Sequence, residues 1–241
     1  MKHEIHRWAS PALQREMTLQ VWGHAGARVF VFPTTMGSHR EWSDRHMHRR
    51  SVLGEHIDQG WLQLFCLDHV HDDSWYSDTL HPGAKAWRHL QYDRYLRDEV
   101  VPFSHSLNDN PYLIAVGASF GAYHATCFAF RNPHLVNRVI GLSGMYDIKK
   151  MTGDYSDGNV YACNPFDFMR HERDAERLAA FRRQDIILVV GRDDPSYENN
   201  RAFSALLWEQ GIGNALRVWD GWAHDWPYWE RMIRMYIGGH D

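Results

Sequence analysis

The segment 112–130 constrains the fold of this chain more than any other part of it. A short apolar run leads into Gly117-Ala118-Ser119-Phe120-Gly121, and a helical pattern follows over Phe120–Phe130. A serine at a sharp turn between a strand and a helix needs small residues two positions away on each side, and both glycines meet that need. We therefore predict a nucleophile elbow, in which the helix N-terminus stabilises negative charge near Ser119. The alternative is an ordinary glycine-flanked turn with an unreactive serine.

Short apolar runs alternate with helical patterns along the rest of the chain. The predicted strands are Thr18–Trp22, Arg28–Phe32, Trp61–Leu67, Tyr112–Val116, Val136–Leu142, Asp185–Val190 and Ala215–Trp219. Helices are predicted over Ala84–Glu99, Phe120–Phe130, Asn199–Gln210 and Trp226–Tyr236. We expect the first two strands to form a hairpin. Apolar strands that alternate with helices are typical of an α/β protein with a mostly parallel sheet covered on both faces. Because the chain shows no repeat or linker, we expect a single domain over residues 1–241.

Composition and charge argue against several classes of protein. The 26 Lys and Arg residues against 30 Asp and Glu give a net charge of −4, which disfavours nucleic acid or an anionic membrane as the main partner. Cys66, Cys127 and Cys163 are odd in number and widely spaced, as in proteins whose thiols stay reduced. The first eight residues hold no apolar run of a signal peptide, and no stretch approaches the ~18 apolar residues of a membrane span. We expect a cytoplasmic protein.

Two further side chains are needed to make Ser119 reactive, because a serine hydroxyl is a good nucleophile only when a base removes its proton. After an elbow of this kind, an acid and then a histidine follow along the chain, each in a loop after a strand. Asp193 and Asp194 both follow the run Asp185–Val190, and the Gly-x-x-Asp-Pro spacing favours Asp194, with Asp193 as the alternative. His224 follows the last predicted strand and precedes the last predicted helix. The predicted catalytic triad is Ser119, Asp194 and His224.

An oxyanion hole requires two backbone N–H groups that face the oxygen of a tetrahedral intermediate. One is predicted to be that of Phe120, the residue after the serine. The second is expected in the loop that follows the early strand, Pro33-Thr34-Thr35-Met36-Gly37-Ser38. We assign it to Thr35, with Met36 as the alternative.

Four segments share the pattern of one enzyme group. They are the loop at 32–37, the elbow at 117–125, the segment 142–147, and Gly221-Trp222-Ala223-His224-Asp225-Trp226-Pro227-Tyr228-Trp229. Together they resemble the putative-esterase group of α/β-hydrolases, which is related to S-formylglutathione hydrolases, feruloyl esterases and mycolyltransferases. The resemblance implies an α/β-hydrolase fold of about eight strands, and ester hydrolysis through an acyl-serine without a cofactor. One departure is that Pro33-Thr34 replaces the usual His-Gly of the oxyanion loop.

The substrate pocket is predicted from aromatic residues near these segments. Because only about 40 residues separate Ser143 from Ile186, any lid there is small. We assign substrate contacts to Trp75 on one wall, Tyr146 on the other, and Trp222 beside the histidine. Such rings suit a small acyl or aryl ester.

The predicted function is therefore a serine carboxylesterase that acts on a small-molecule ester. The alternatives are an acyltransferase with the same triad, or a hydrolase-like binding protein without activity. A different class is suggested by His69-Val70-His71-Asp72-Asp73, which resembles the metal-binding loop of metallo-β-lactamase-like hydrolases. Ser74 stands where that pattern has another histidine, so we predict no metal site.

Overall fold

Eight strands form one sheet in the computed structural model of this chain, which describes residues 1–239. The strands are β1 His3–Ser10, β2 Arg15–Trp22, β3 Ala27–Phe32, β4 Leu62–Leu67, β5 Leu113–Ala118, β6 Arg138–Leu142, β7 Asp185–Gly191 and β8 Ala215–Trp219. Their order across the sheet is β1-β2-β4-β3-β5-β6-β7-β8. All neighbouring pairs from β4 to β8 are parallel, and β2 runs antiparallel to both of its neighbours. This confirms the predicted α/β class and the mostly parallel sheet.

Helices cover both faces of the sheet. They are α1 Glu41–Asp44, α2 Gly54–Asp58, α3 Pro82–Tyr95, α4 Val101–Leu107, α5 Phe120–Arg131, α6 Gly158–Ala162, α7 Pro165–His171, α8 Ala175–Phe181, α9 Tyr197–Glu209 and α10 Trp226–Tyr236. A π-helical turn, Leu96–Val100, joins α3 to α4, and a 3-10 turn covers Ile148–Met151. No helix among residues 1–239 is long and apolar enough to cross a lipid bilayer.

Two hydrophobic cores form because successive strand residues face opposite sides of the sheet. In β3, Phe30 and Phe32 pack in a core that includes side chains of α3, α5 and α9. Val29 and Val31 face the other core, which includes side chains of α1, α2 and α10. Burial of both faces explains why the central strands are apolar at almost every position.

The predicted hairpin is wrong. The strand Thr18–Trp22 lies within β2, which pairs with β1 and β4, whereas β3 lies between β4 and β5. The hairpin partner of β2 is instead β1, whose residues alternate between exposed and half-buried positions and so lack an apolar signature. β3 is buried almost throughout and occupies the sheet centre, where a strand needs neighbours on both sides.

The helix predicted over Ala84–Glu99 is also longer than expected. It begins at Pro82, with the His81 ring accepting the Gly83 N–H, and it continues through the π-helical turn to Leu107. Pro102 lacks an N–H group, and the wider turn just before it lets the helix continue past the missing hydrogen bond.

Candidate active site

Ser119 lies at the turn between β5 and α5, where its backbone adopts φ 53° and ψ −121°. A side chain at Gly117 would come within 2.2 Å of the Gly121 backbone, and one at Gly121 within 2.5 Å of the Phe32 carbonyl oxygen. Both glycines are therefore required for the close packing of the helix against the strands. The Ser119 N–H donates to the Leu142 carbonyl at 2.8 Å, which fixes the turn to β6.

Three side chains from different loops meet beside this turn. His224 Nε2 lies 3.2 Å from Ser119 Oγ, and His224 Nδ1 lies 2.8 Å from Asp194 Oδ2. Asp194 follows β7 and His224 follows β8, so the parallel sheet brings the carboxyl ends of these strands to one edge. The structure thus places His224 of the predicted triad within hydrogen-bond reach of both Ser119 and Asp194.

Asp194, not its neighbour Asp193, is the carboxylate that contacts the histidine. Asp193 is exposed, and its N–H donates to the Gly221 carbonyl at 3.0 Å. Burial by itself would raise the pKa of Asp194, but hydrogen bonds from His224 and from the hydroxyl and N–H of Ser196 outweigh burial and lower that pKa. Asp194 is therefore ionised at neutral pH and can orient the His224 ring.

The residues predicted to supply the oxyanion donors are both part of this site. Thr35 and Phe120 line the same cleft as Ser119 and His224. The alternative donor, the Met36 N–H, is already engaged, because it donates to His71 Nδ1 at 3.1 Å. The Thr34 N–H likewise donates to the Glu41 carboxylate at 2.8 Å. Within residues 1–239 no protein acceptor engages the N–H of Thr35 or of Phe120, so both are open to a ligand.

The cleft in front of Ser119 has a volume of about 320 Å³. Its lining residues include the triad and come from six separate segments of chain. They are Thr35, Tyr76, Ser119, Phe120, Ser143, Met145, Asp147, Lys149, Lys150, Asp194, Pro195, Ser196, Asn199 and His224.

Two of the residues assigned to substrate contacts, Trp75 and Tyr146, do not line the cleft. Trp75 is only 1% exposed and packs edge-on against Tyr123, while the adjacent Tyr76 lines the cleft. Tyr146 is fully buried and stacks on Phe203 at 4.7 Å, while the adjacent Met145 lines the cleft. Consecutive side chains of such segments point in different directions, and the sequence alone does not show which of them faces the cleft.

The third predicted contact, Trp222, lies outside the residues that line the cleft. Its side chain is half exposed, and its ring centroid is 5.7 Å from that of His224. Tyr76, Met145, Lys150 and Asn199 are lining residues that sequence analysis did not single out. Tyr76 could have been suspected from the sequence, because it directly follows Trp75, the residue assigned to one wall of the pocket.

The family of the chain follows from comparison with known proteins. A family model described as putative esterase matches residues 66–237. This chain belongs to the putative-esterase family. The esterase is a carboxylic ester hydrolase with the α/β-hydrolase fold, as the resemblance of its motifs predicted. No curated protein matches its sequence significantly.

Solved structures similar to this esterase share its fold at low sequence identity. A ferulic acid esterase superposes with a TM-score of 0.74 at 17% identity, covering 97% of this chain and 95% of the other. An S-formylglutathione hydrolase from Agrobacterium tumefaciens gives 0.74 at 15%, covering 98% and 93%. The fluorophosphonate-binding serine hydrolase F of Staphylococcus aureus gives 0.73 at 16%, covering 98% and 97%.

The histidine-rich segment considered as a metal site has another arrangement in the esterase. The His71 ring contacts Met36 and His124, and Asp73 pairs with Arg88. Across the described residues 1–239, no group of three or more His, Cys, Asp or Glu side chains could hold a metal ion.

Replacing Asp194 with asparagine should lower kcat for an aryl ester by roughly 10³–10⁴-fold, because an amide cannot hold His224 in the tautomer that accepts the serine proton. Asp193→Asn is the matched control and should change kcat less than twofold, since its carboxylate contacts neither triad partner. Steady-state kinetics on both purified variants checks this. Equal losses in the two variants would contradict the assignment of Asp194.

Proposed function

We propose that this esterase hydrolyses small acyl or aryl esters through an acyl-enzyme on Ser119. The observation that carries the proposal is the continuous path from Asp194 Oδ2 through both ring nitrogens of His224 to Ser119 Oγ, with contacts of 2.8 and 3.2 Å. The two N–H groups without a protein acceptor, on Thr35 and Phe120, support it. They lie in the cleft where an ester carbonyl oxygen would gain negative charge.

In the first half of the proposed reaction, Ser119 Oγ attacks the ester carbonyl carbon while His224 Nε2 takes the hydroxyl proton. Asp194 accepts the hydrogen bond from Nδ1–H and stabilises the imidazolium that forms. The tetrahedral oxyanion accepts hydrogen bonds from the Phe120 and Thr35 N–H groups. When the C–O bond to the alcohol breaks, His224 returns the proton to the leaving oxygen. Water, deprotonated by His224, then attacks the acyl carbon. When the bond from that carbon to Ser119 Oγ breaks, His224 returns the proton to Oγ and the acid is released.

The size and lining of the cleft support a small substrate. A volume of about 320 Å³ lies at the lower end of ligand pockets, which are typically ~300–1,000 Å³. Tyr76, Phe120 and Met145 supply apolar surface near the serine, as an acyl or aryl group requires. Ser119, Asp194 and His224 each follow a strand of one continuous sheet, which supports the proposal that residues 1–241 form one domain.

The test is hydrolysis of p-nitrophenyl acetate and p-nitrophenyl butyrate, combined with a fluorophosphonate probe and mass mapping of the labelled peptide. We expect turnover of both esters, loss of turnover on labelling, and the phosphonyl group on Ser119. If Ser119 is labelled but esters turn over only when an alcohol or thiol is added, the protein is an acyltransferase. Turnover that survives labelling at Ser119 would exclude the proposed mechanism.

A further inference from the structure

A pair of buried histidines connects the two sides of the proposed oxyanion hole. The Met36 N–H donates to His71 Nδ1 at 3.1 Å, and His71 Nε2 lies 2.9 Å from His124 Nε2. Both rings are almost fully buried, with residue exposures of 0% and 2%. The ring planes are nearly parallel and their centroids are 4.9 Å apart.

The hydrogen bonds determine which ring nitrogen carries each proton. Burial lowers the pKa of His71 to about 2 and the pKa of His124 well below its ordinary value, so both rings are neutral at neutral pH. Because His71 Nδ1 accepts the Met36 N–H, the proton of His71 is on Nε2. His71 therefore donates to His124 Nε2, and the proton of His124 is on Nδ1. Within residues 1–239, His124 Nδ1 is buried without a hydrogen-bond partner.

An unpaired buried N–H destabilises the fold, so this arrangement calls for a physical explanation. Phenylalanine in place of His124 would fill the same space without an unsatisfied donor. Unlike phenylalanine, His124 provides a hydrogen-bond acceptor at Nε2. This acceptor holds His71 in the tautomer whose Nδ1 accepts the Met36 N–H.

Each end of this hydrogen-bonded path lies next to a proposed oxyanion donor. Met36 has φ 54° and follows Thr35 in the tight turn closed by the Gly37 N–H to the Thr34 carbonyl. The Thr34 carbonyl shares a peptide unit with the Thr35 N–H, so the bond from Gly37 orients that unit. The bond from the Met36 N–H to His71 holds the next peptide of the same turn, and so limits rotation of the Thr35 N–H. His124 is one helical turn after Phe120 on α5, and its ring packs edge-on against that of Phe120 at 4.8 Å.

His71 also holds a third part of the cleft. Its carbonyl oxygen accepts the N–H groups of Ser74 and Tyr76, at 3.2 and 2.9 Å. The Tyr76 hydroxyl in turn lies 3.0 Å from Thr35 Oγ1. His71 thus contacts the loop that carries Thr35, the segment that carries Tyr76, and helix α5.

We propose that His71, held by His124, is a positioning residue that fixes the separation and orientation of the Thr35 and Phe120 N–H groups. This inference rests on the proposed acyl-serine mechanism. Its role is indirect, since the His71 ring does not line the cleft. A positioning role predicts that loss of the His71 ring weakens stabilisation of the oxyanion more than it weakens binding of the ester.

The test compares His71→Leu, which removes the acceptor, with His71→Asn, whose side-chain oxygen can accept the Met36 N–H. For His71→Leu we expect kcat for p-nitrophenyl acetate to fall roughly 10–100-fold with KM changed less than threefold, in line with impaired oxyanion donors. The inhibition constant of an aryl trifluoromethyl ketone, which forms an oxyanion on serine, should rise by a similar factor. His71→Asn should recover most of both losses and provides a folded variant if leucine is not tolerated.

The matched control is His89→Leu, because His89 is also buried in this cluster at 3% exposure. Its ring is 5.0 Å from that of His124, and within residues 1–239 it forms no hydrogen bond with either donor segment. His89→Leu should lower stability without changing the ketone inhibition constant. An unchanged inhibition constant in His71→Leu, or equal changes in both leucine variants, would overturn the positioning role. Failure of the fluorophosphonate to inactivate the wild-type protein would instead overturn the serine mechanism itself.

Discussion

Ser119→Ala should lower kcat for p-nitrophenyl butyrate by roughly 10⁴-fold or more, with no loss of folded structure. The fold should persist because the Ser119 side chain forms no capping hydrogen bond with helix α5, and alanine adds no atom to the turn. Steady-state kinetics, with the far-UV circular dichroism spectrum as the test of folding, measures both effects.

The matched control for this substitution is Ser143, one of the two other serines that line the cleft. Ser143 also has a positive φ of 52°, but its hydroxyl accepts from the Trp229 indole N–H at 3.1 Å and is not bonded to His224. Ser143→Ala should therefore reduce kcat less than about tenfold, because it removes only this bond and the longer one that the hydroxyl donates to the Ala223 carbonyl at 3.4 Å. The opposite ranking of the two variants would mean that the nucleophile is misassigned.

Acidification should destabilise the esterase steeply below about pH 6.5, the ordinary pKa of histidine. Burial lowers the pKa of His71 to about 2 and of His89 to about 3, and it lowers that of His124 well below its ordinary value. After burial, the Arg131 guanidinium also lowers the pKa of His89, and the neighbouring histidines also lower the pKa values of His71 and His124. Each ring therefore stays neutral in the folded protein at a pH where the unfolded chain binds a proton.

The sign of the effect follows from proton uptake on unfolding. The stability that the neutral rings contribute is complete above pH 6.5 and is lost as the pH falls toward the folded pKa values. The free energy of unfolding should fall by roughly 1.4 kcal/mol per pH unit for each histidine in this window. Urea titrations between pH 4.5 and pH 7.5 measure the slope.

A variant distinguishes proton uptake by His71, His89 and His124 from proton uptake by other titrating groups. His89→Phe keeps a buried ring but removes one site of proton uptake, so the slope should fall by about one proton. The lowered pKa of Asp194 contributes only at more acidic pH, where the carboxylate becomes protonated. If the free energy of unfolding of the wild-type protein does not change between pH 7.5 and pH 5, the three histidines bind protons equally in the folded and unfolded states. That result would contradict their burial as neutral rings.

The sequence predicted those parts of the fold that depend on local patterns. The parallel strands at the sheet centre are apolar on both faces. The bounds predicted for the last strand, Ala215–Trp219, and the last helix, Trp226–Tyr236, are those of the structure. The elbow was predictable because only glycine fits at 117 and 121. β1 was missed because an edge strand with polar residues on alternate positions has no comparable signature.

The site was predictable to the extent that chain order constrains it. Ser119, Asp194 and His224 each follow a strand of the sheet, so residue type and order selected the serine and the histidine and narrowed the acid to Asp194 or its neighbour Asp193. Which residues form the cleft walls depends on side-chain direction, and the sequence does not show that direction. Tyr76 and Met145 line the cleft, whereas Trp75 and Tyr146 are buried. The contact of His71 with His124 joins residues 53 positions apart, and no local pattern indicates it.

The most direct test of the central claim is to trap the acyl-enzyme during turnover of an ordinary substrate. The protein is mixed with excess p-nitrophenyl butyrate, quenched in acid within milliseconds to seconds, and digested for peptide mass mapping. The account predicts a butyryl group on the peptide that contains Ser119 in the wild-type protein, and its absence in Ser119→Ala. Rapid turnover with a butyryl group on another residue, or with the same acylated peptide in Ser119→Ala, would contradict it.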